Sequence, residues 1–303
     1  MVDITHKSTT LRTAVAQAIV KVSKQETITA IQNDTVPKGN VFAMSKAAGL
    51  LGVKRTPDIL PDCHPLPIEF TSVEYEINGL EITVLFTVKT IYKTGVEVEA
   101  MHGASVVALN MYDMLKPIDK GIEIHQIKLL NKKGGKSDFT DRFRKDLTAG
   151  VIVCSDTISA GKKEDRAGKA IMKKLEDCNV KISHYTIIPD EKDIIQEKAK
   201  AFQEEGIDLI IYTGGTGLSK RDVTPEALEP LLDRRIPGIE EAIRNYGQNR
   251  TPFSMLSRSI AGTLKNTLVL GLPGSTNGAK ESMDAIFPSV LHIFRILKGA
   301  RHD

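Results

Sequence analysis

Residues 207–227, IDLIIYTGGTGLSKRDVTPEA, constrain this chain more than any other stretch. An apolar run at 207–212 between Gly206 and Gly214 predicts a buried parallel strand. Thr213, Gly214, Gly215, Thr216 and Gly217 follow, and three glycines in four positions let backbone approach a ligand and aim amide N–H groups at an anion. Arg221 and Asp222 come next. Thr224, Pro225 and Glu226 supply a helix cap, a proline for the first turn and a first-turn acid. Strand, glycine loop, cation, carboxylate and helix start together point to a nucleotide-phosphate site with a metal near Asp222. The dinucleotide fingerprint does not fit, because Lys220 stands where its last glycine belongs. A P-loop does not fit either: the only Gly-Lys-Ser, at 135–137, has Leu130 at the first glycine position. The bland alternative is a tight strand-to-helix turn that binds nothing.

The chain has 303 residues, enough for two ordinary domains. A hydrophobic share of 41% with 26% charged residues fits a soluble globular protein. Positive and negative charges balance in both halves, so nothing predicts a nucleic-acid surface. Cys63, Cys154 and Cys178 form neither a disulfide framework nor metal-ligand spacing, which favours a reducing compartment. The polar start MVDITHKSTT shows no secretory signal, and no apolar run reaches the ~20 residues of a membrane helix. The expected location is cytoplasmic, with no membrane partner.

From about residue 149 the pattern alternates strand and helix: strands at 151–154, 180–188, 207–212 and 267–270, and helices opening near 165, 190, 224 and 277. That predicts an α/β, doubly wound, mostly parallel three-layer domain. Ligands of such sheets bind outside the C-terminal strand ends. Ser155-Asp156, Pro189-Asp190, Thr213-Gly214 and Gly274-Ser275 all fall at such ends. Taken alone, Asp190 reads as a helix cap.

The first half has a different pattern. Leu11, Ala14, Ala18 and Ile19 predict a helix over 9–22, and a second is predicted over 41–51, broken at Gly52. Four prolines at 57–67 fix a loop around Asp62, Cys63 and His64. Alternation at 73–77 and 80–88 around Asn78-Gly79 predicts a hairpin with a type I′ turn. A helix at 98–116, stopped by Pro117, and a strand at 122–130 complete an α+β domain, expected to be ferredoxin-like. Glu99, His102, Val106, Leu109, Asp113 and Lys116 share one face of that helix. Glu99 and Asp113 lie about 21 Å apart along it, so one subunit cannot easily bring both to one site. A site built between two subunits follows. Taken alone, Asp113–Lys116 is a solvated ion pair and His64 a structural loop residue.

Several strings in the first half resemble the cyclic pyranopterin monophosphate synthase (MoaC) family. They are Val2-Asp3, Lys38-Gly39, Cys63-His64-Pro65-Leu66, residues 93–100, Tyr112-Asp113-Met114-x-Lys116 and residues 134–137. The resemblance implies rearrangement of a 3',8-cyclised guanosine triphosphate derivative to cyclic pyranopterin monophosphate, with loss of pyrophosphate. It implies Asp113 as acid/base with Lys38 and Lys116 as partners. His64 and Glu99 would contact substrate, alongside Asp62, Cys63, Val98 and Lys136. Lys54 is expected to neutralise Asp62 beside the triphosphate, and Cys63 is not read as a nucleophile. Asn40, Asp62 and Val98 depart from the family pattern.

The second half resembles the molybdopterin adenylyltransferase (MogA/MoaB) family, through 207–227, Asp165-Arg166-x-Gly168, Ile188-Pro189-Asp190, Leu256-Ser257-Arg258 and 271–275. That implies adenylylation of molybdopterin by Mg-ATP. Asp190 and Asp222 would hold Mg²⁺, and Ser155, Asp156, Thr213, Gly214, Gly215, Thr216, Gly217, Gly274 and Ser275 would bind substrate. The expected organisation is domain 1–137, linker 138–148 and domain 149–303. The families imply hexamers for the first half and trimers for the second, so a homo-hexamer is expected from their common threefold; pterin and nucleotide substrates are expected too, with hand-off to molybdopterin synthase and a molybdenum-insertion protein. In the alternative reading one half is a molybdopterin-binding or oligomerisation scaffold.

Overall fold

The computed structural model describes residues 1–135, 138, 146–297 and 299. Two compact units divide the chain, Met1–Phe139 and Thr140–Asp303. The linker expected at 138–148 falls largely outside the described residues.

The first unit runs β1 (Thr10–Lys21), α1 (Gln25–Gln32), α2 (Val41–Lys54), α3 (Thr56–Ile59), β2 (Phe70–Asn78), β3 (Glu81–Tyr92), α4 (Glu97–Leu115) and β4 (Glu123–Lys133). Its strands form an antiparallel sheet ordered β2-β3-β1-β4. One sheet face is apolar: Ala14, Ala16, Ala18 and Val20 of β1 and Ile82, Val84, Phe86 and Val88 of β3 are buried with Val53 of α2 and Val107 and Met111 of α4. The Phe86 ring sits where a Cβ on Gly49 or Gly103 would lie 2.8 or 2.6 Å from it. The two helices can therefore cover that ring only because both positions are glycine.

Three expectations fail here. Residues 9–22 are not a helix; β1 occupies them. The positions read at helical spacing overlap the alternating set Ala14, Ala16, Ala18, Val20, and the neighbours Thr13, Val15 and Ile19 are β-branched. Alanine carries helix propensity, but two-residue alternation against a packed face decides the outcome. The hairpin forms, yet Asn78 pairs with Glu81, so the turn residues are Gly79 and Leu80. Only Gly79 has positive φ, +58°, which is the type II′ demand of a leading glycine, not the type I′ turn expected. Gly52 also fails to break α2, which continues to Lys54.

The second unit runs β5 (Thr148–Cys154), α5 (Asp156–Ser159), α6 (Ala167–Asp177), β6 (Lys181–Ile188), α7 (Lys192–Glu204), β7 (Leu209–Thr213), α8 (Thr224–Leu228), β8 (Arg234–Arg235), α9 (Pro237–Gln248), β9 (Ile260–Leu264), β10 (Thr267–Leu272), α10 (Thr276–Ile286) and α11 (Ile293–Ile296). The sheet is mixed, ordered β6-β5-β7-β10-β9-β8. β6, β5, β7 and β10 are parallel, and β9 runs against both β10 and β8. Val151, Leu209, Ile211 and Leu270 pack with Ile171, Ile243 and Met283 of α6, α9 and α10. Ile152, Ile210, Tyr212 and Val269 pack with Ile195, Phe202 and Leu228 of α7 and α8. Helices cover both faces, which is why the strands read as continuous apolar runs. From β5 the chain steps outward to β6, then returns past β5 to β7. The strand order reverses between β5 and β7, where an α/β sheet opens a crevice.

Candidate functional site

At that reversal Val153 stands opposite Thr213, Leu272 opposite Thr213, and Cys154 opposite Ile188. The loops after β5, β6, β7 and β10 therefore leave one edge together, bringing Ser155, Asp156, Asp190, the glycines at 214–217, Gly274 and Ser275 to it. They approach closely. A Cβ on Gly214, whose φ is +107°, would lie 2.1 Å from the Cys154 carbonyl oxygen, and one on Gly274 would lie 2.9 Å from the Gly214 Cα. Thr213 Oγ1 donates to the Pro273 carbonyl at 2.8 Å, and Thr224 Oγ1 donates to the Gly214 carbonyl at 2.9 Å. Thr224 was expected to cap α8. Instead it is a buried staple for the glycine loop, and Val223 holds the cap position with no side-chain bond.

Two carboxylates lie against this loop. A Cβ on Gly215 would sit 2.9 Å from Asp190 Oδ1, and one on Gly217 would sit 2.9 Å from Asp222 Oδ2. Asp190 Oδ1 is buried and has no hydrogen-bond partner. Its Oδ2 accepts from the Asp156 N–H at 3.2 Å, and its own N–H donates to Asp156 Oδ1 at 3.1 Å. Burial pushes the Asp190 carboxyl pKa up, with the charges of Asp156 and Asp222 adding to the rise. Asp190 does not cap α7; that position belongs to Glu191. Asp222 Oδ2 accepts from the Ser219 N–H at 2.8 Å. Arg221 grips both Asp156 oxygens at 3.0 Å and Glu191 at 2.9 Å. These bonds hold its guanidinium pKa above the usual arginine value.

The other predicted residues take lesser positions. Ser155 caps the short α5, and Ser275 caps α10 by accepting from the Gly278 N–H at 3.1 Å. Beside the α10 start is a cleft of about 560 Å³ whose walls include Arg250, Ser257, Thr276 and Asn277.

A buried, unpartnered carboxylate oxygen next to further acids fits a cation. Among the described residues no three His, Cys, Asp or Glu side chains are arranged for a metal.

The predicted residues of the first unit fall into two groups. In one, Asp113 is clamped between two lysines: Lys38 Nζ to Oδ2 at 2.6 Å and Lys116 Nζ to Oδ1 at 2.8 Å. Lys38 also donates to the Asp113 carbonyl at 2.9 Å. The hydrogen bond from Lys116, then that from Lys38, depresses the Asp113 pKa to about 2. Lys38 reaches it from the turn before α2, where Gly39 has φ +92°. Asn40 caps α2 by accepting from the Ala43 N–H at 2.8 Å, a role asparagine fills as well as aspartate.

The second group surrounds a cleft of about 750 Å³ lined by Asp62, Cys63, His64, Val98 and Glu99, among others. Glu99 is 2% exposed; its Oε1 accepts from the Cys63 thiol at 3.0 Å, and its buried Oε2 has no partner. Burial, then Glu99, pushes the Cys63 pKa up to about 12, so Cys63 is a hydrogen-bond donor and not a nucleophile. His64 Nε2 meets the Val2 carbonyl at 2.8 Å. Asp62 is paired with the Met1 amino group at 3.0 Å, not with Lys54, which ends α2 and does not line the cleft. Lys136 lies outside the described residues. The two groups occupy opposite ends of α4: Glu99 is in its first turn, and Asp113 is two residues before its end.

Sequence reasoning gave Arg221 as the cation of the loop and Arg258 as part of a family string, but not the partners of either. Arg221 reaches the Asp156 and Glu191 carboxylates and Arg258 the Gly217 and Asp222 carbonyls, all distant in the chain, and no local spacing marks such partnerships.

Residues 1–135 match the model of the MoaC family, and residues 150–292 match that of the probable molybdopterin binding domain. Over its full length the chain is 39% identical to the molybdenum cofactor biosynthesis bifunctional protein of Chlorobaculum tepidum, covering 96% of that protein. Its first 45% is 48% identical to the cyclic pyranopterin monophosphate synthase of Pelobacter propionicus, covering 86% of that protein. A stretch covering 52% of the chain is similar to the crystal structure of the molybdopterin biosynthesis enzyme MoaB from Thermus thermophilus, with 38% identity, a TM-score of 0.49 and 99% of that chain covered.

Proposed function

The chain belongs to the family of molybdenum cofactor biosynthesis bifunctional proteins, and from that membership we propose a specific chemistry for each half. The first half forms cyclic pyranopterin monophosphate and pyrophosphate from the 3',8-cyclised guanosine triphosphate derivative. The second half adenylylates molybdopterin with Mg-ATP. We read the β-α-β-β-α-β order of the first unit as ferredoxin-like.

The observation that carries the second activity is the bare Asp190 Oδ1, buried against Gly215, with Asp222 against Gly217. Magnesium held there would offset charge on the phosphates during transfer. The glycine loop brings backbone N–H groups to the phosphates, and Thr224 and Thr213 fix its shape before substrate arrives. The Ser275 end of α10 and the cleft beside it suit the phosphate and pterin of the acceptor. Its phosphate oxygen attacks the α-phosphorus of ATP, and pyrophosphate leaves.

In the first half Lys38 and Lys116 meet the phosphates, and Asp113 moves protons during ring opening and closure. At neutral pH the free enzyme holds Asp113 ionised, so it first acts as a base. Once the lysines turn to substrate, its pKa rises and it can return the proton. Glu99 and His64 hold the pterin end. We place the working site between two subunits, because the two groups sit at opposite ends of α4, and Leu109 and Tyr112 are left exposed on that helix between them. A homo-hexamer is the assembly we favour.

The test is product mass. Incubation with the cyclised precursor is expected to give cyclic pyranopterin monophosphate, abolished by Asp113→Ala. Incubation with molybdopterin and Mg-ATP is expected to give adenylyl-molybdopterin, cut to a small residual rate by Asp222→Ala. If either product is absent from wild type, that half is a scaffold.

A further inference from the structure

Because β9 runs against β10, it begins at the edge where the parallel strands end, with Ile260 opposite Gly271. Two residues before it stands Arg258, whose hydrogen bonds among the described residues fall on the segment from the glycine loop to α8. Its backbone N–H donates to the Thr216 carbonyl at 3.1 Å. Its Nε donates to the Gly217 carbonyl at 2.8 Å and its Nη2 to the Asp222 carbonyl at 2.7 Å. Its Nη1 pairs with Glu226. Its backbone thus holds Thr216, and its side chain ties Gly217 and Asp222, at the two ends of the loop, to Glu226 in the first turn of α8.

The guanidinium is committed to protein. Glu226 offsets its charge, and the fork of donors suits acceptors spread over several residues in a way a lysine cannot match. A trans peptide points its N–H opposite to its carbonyl. Holding the Thr216 and Gly217 carbonyls toward Arg258 therefore turns the N–H groups of Gly217 and Leu218 the other way. Without that hold, a three-glycine loop has many conformations to lose before it can cradle an anion.

We propose that Arg258 is a positioning residue for nucleotidyl transfer: it clamps the 216–222 loop so that Asp222 and the loop amides are in place before nucleotide binds. This rests on the adenylyltransferase reading of the second half. It does not require Arg258 to touch the phosphates.

The test uses the full chain with Arg258→Met and Arg258→Lys, each alone and in an Asp222→Asn background. Three measurements are made: kcat and KM for pyrophosphate release from Mg-ATP with molybdopterin, calorimetric binding of a non-hydrolysable ATP analogue with Mg²⁺, and hydrogen exchange of amides 216–222. Arg258→Met should lower kcat about 30-fold while weakening analogue binding less than about threefold, since pre-organisation is expressed in the transition state. Lysine should restore little of the loss. In the Asp222→Asn background the Arg258 change should cost less than about threefold, because the two act as one unit. Exchange at 216–222 should quicken about tenfold, with the rest of the domain unchanged.

Full multiplication of the two losses, a loss confined to KM, or unchanged exchange would each overturn the clamp. Wild type that releases no pyrophosphate would sink the adenylyltransferase reading instead, and exchange would then decide the clamp alone. A variant with globally faster exchange has simply lost its fold; Glu226→Gln, which keeps the guanidinium and weakens one anchor, then carries the test through a smaller, local change at the same amides.

Discussion

Asp190 and Asp113 are both carboxylates in candidate sites, and their surroundings push them in opposite directions. Two lysines hold Asp113 charged, whereas Asp190 is buried with one oxygen bare. A carboxyl whose folded pKa is raised contributes stability at low pH that is lost as pH rises through that pKa. Asp190→Asn is therefore expected to raise the metal-free thermal midpoint at neutral pH while removing Mg-ATP binding and adenylylation. The gain should fade as pH falls toward the ordinary carboxylate range. Equal midpoints across that range would show that Asp190 carries no burial penalty. Cys63 gives a second prediction. With its pKa pushed up to about 12 and its S–H donated to Glu99, it should resist iodoacetamide at pH 8 in the folded protein and react on unfolding, as read by peptide mass.

The glycine loop owes its shape to neighbours on other strands, and its sequence shows only part of that. Gly215→Ala would place a Cβ 2.3 Å from Thr224 Oγ1 and 2.9 Å from Asp190 Oδ1, at a φ of +61°. An expected loss of about 1–3 kcal/mol, measured by denaturant unfolding, comes from crowding a packed site, and nucleotide binding should be lost with it. The loop, its strand and the sheet edge were legible because glycine spacing and apolar runs are local signals. The carboxylates were legible as residues but not as a constellation. Asp190 could equally have capped a helix, and only the fold shows Glu191 in that place. Thr224 looked like a cap for the same reason. In β1 the alanines at 14, 16 and 18 satisfied two periods at once, so the tertiary contact with α4 made the choice. Arg258 was legible only as part of a string, because its partners lie up to 42 residues earlier in the chain.

The first half places the lysine-clamped Asp113 and the buried Glu99 at opposite ends of one helix, and the second gathers its candidate groups on one sheet edge. If the first site is shared, protein carrying Glu99→Ala and protein carrying Asp113→Ala should each be inactive in cyclic pyranopterin formation. Mixed and reassembled, they should regain roughly a quarter of wild-type activity, since random pairing makes half the dimers mixed and each mixed dimer keeps one intact site. No recovery after verified subunit exchange would return the site to a single subunit.

The length of α4 has a further consequence. A site that needs a neighbour vanishes when neighbours part, whereas one carried on a single sheet edge does not. Serial dilution should therefore make the specific activity of the first half fall along a binding curve while that of the second stays level. The ratio of the two rates, taken from one tube, would then serve as a gauge of self-association.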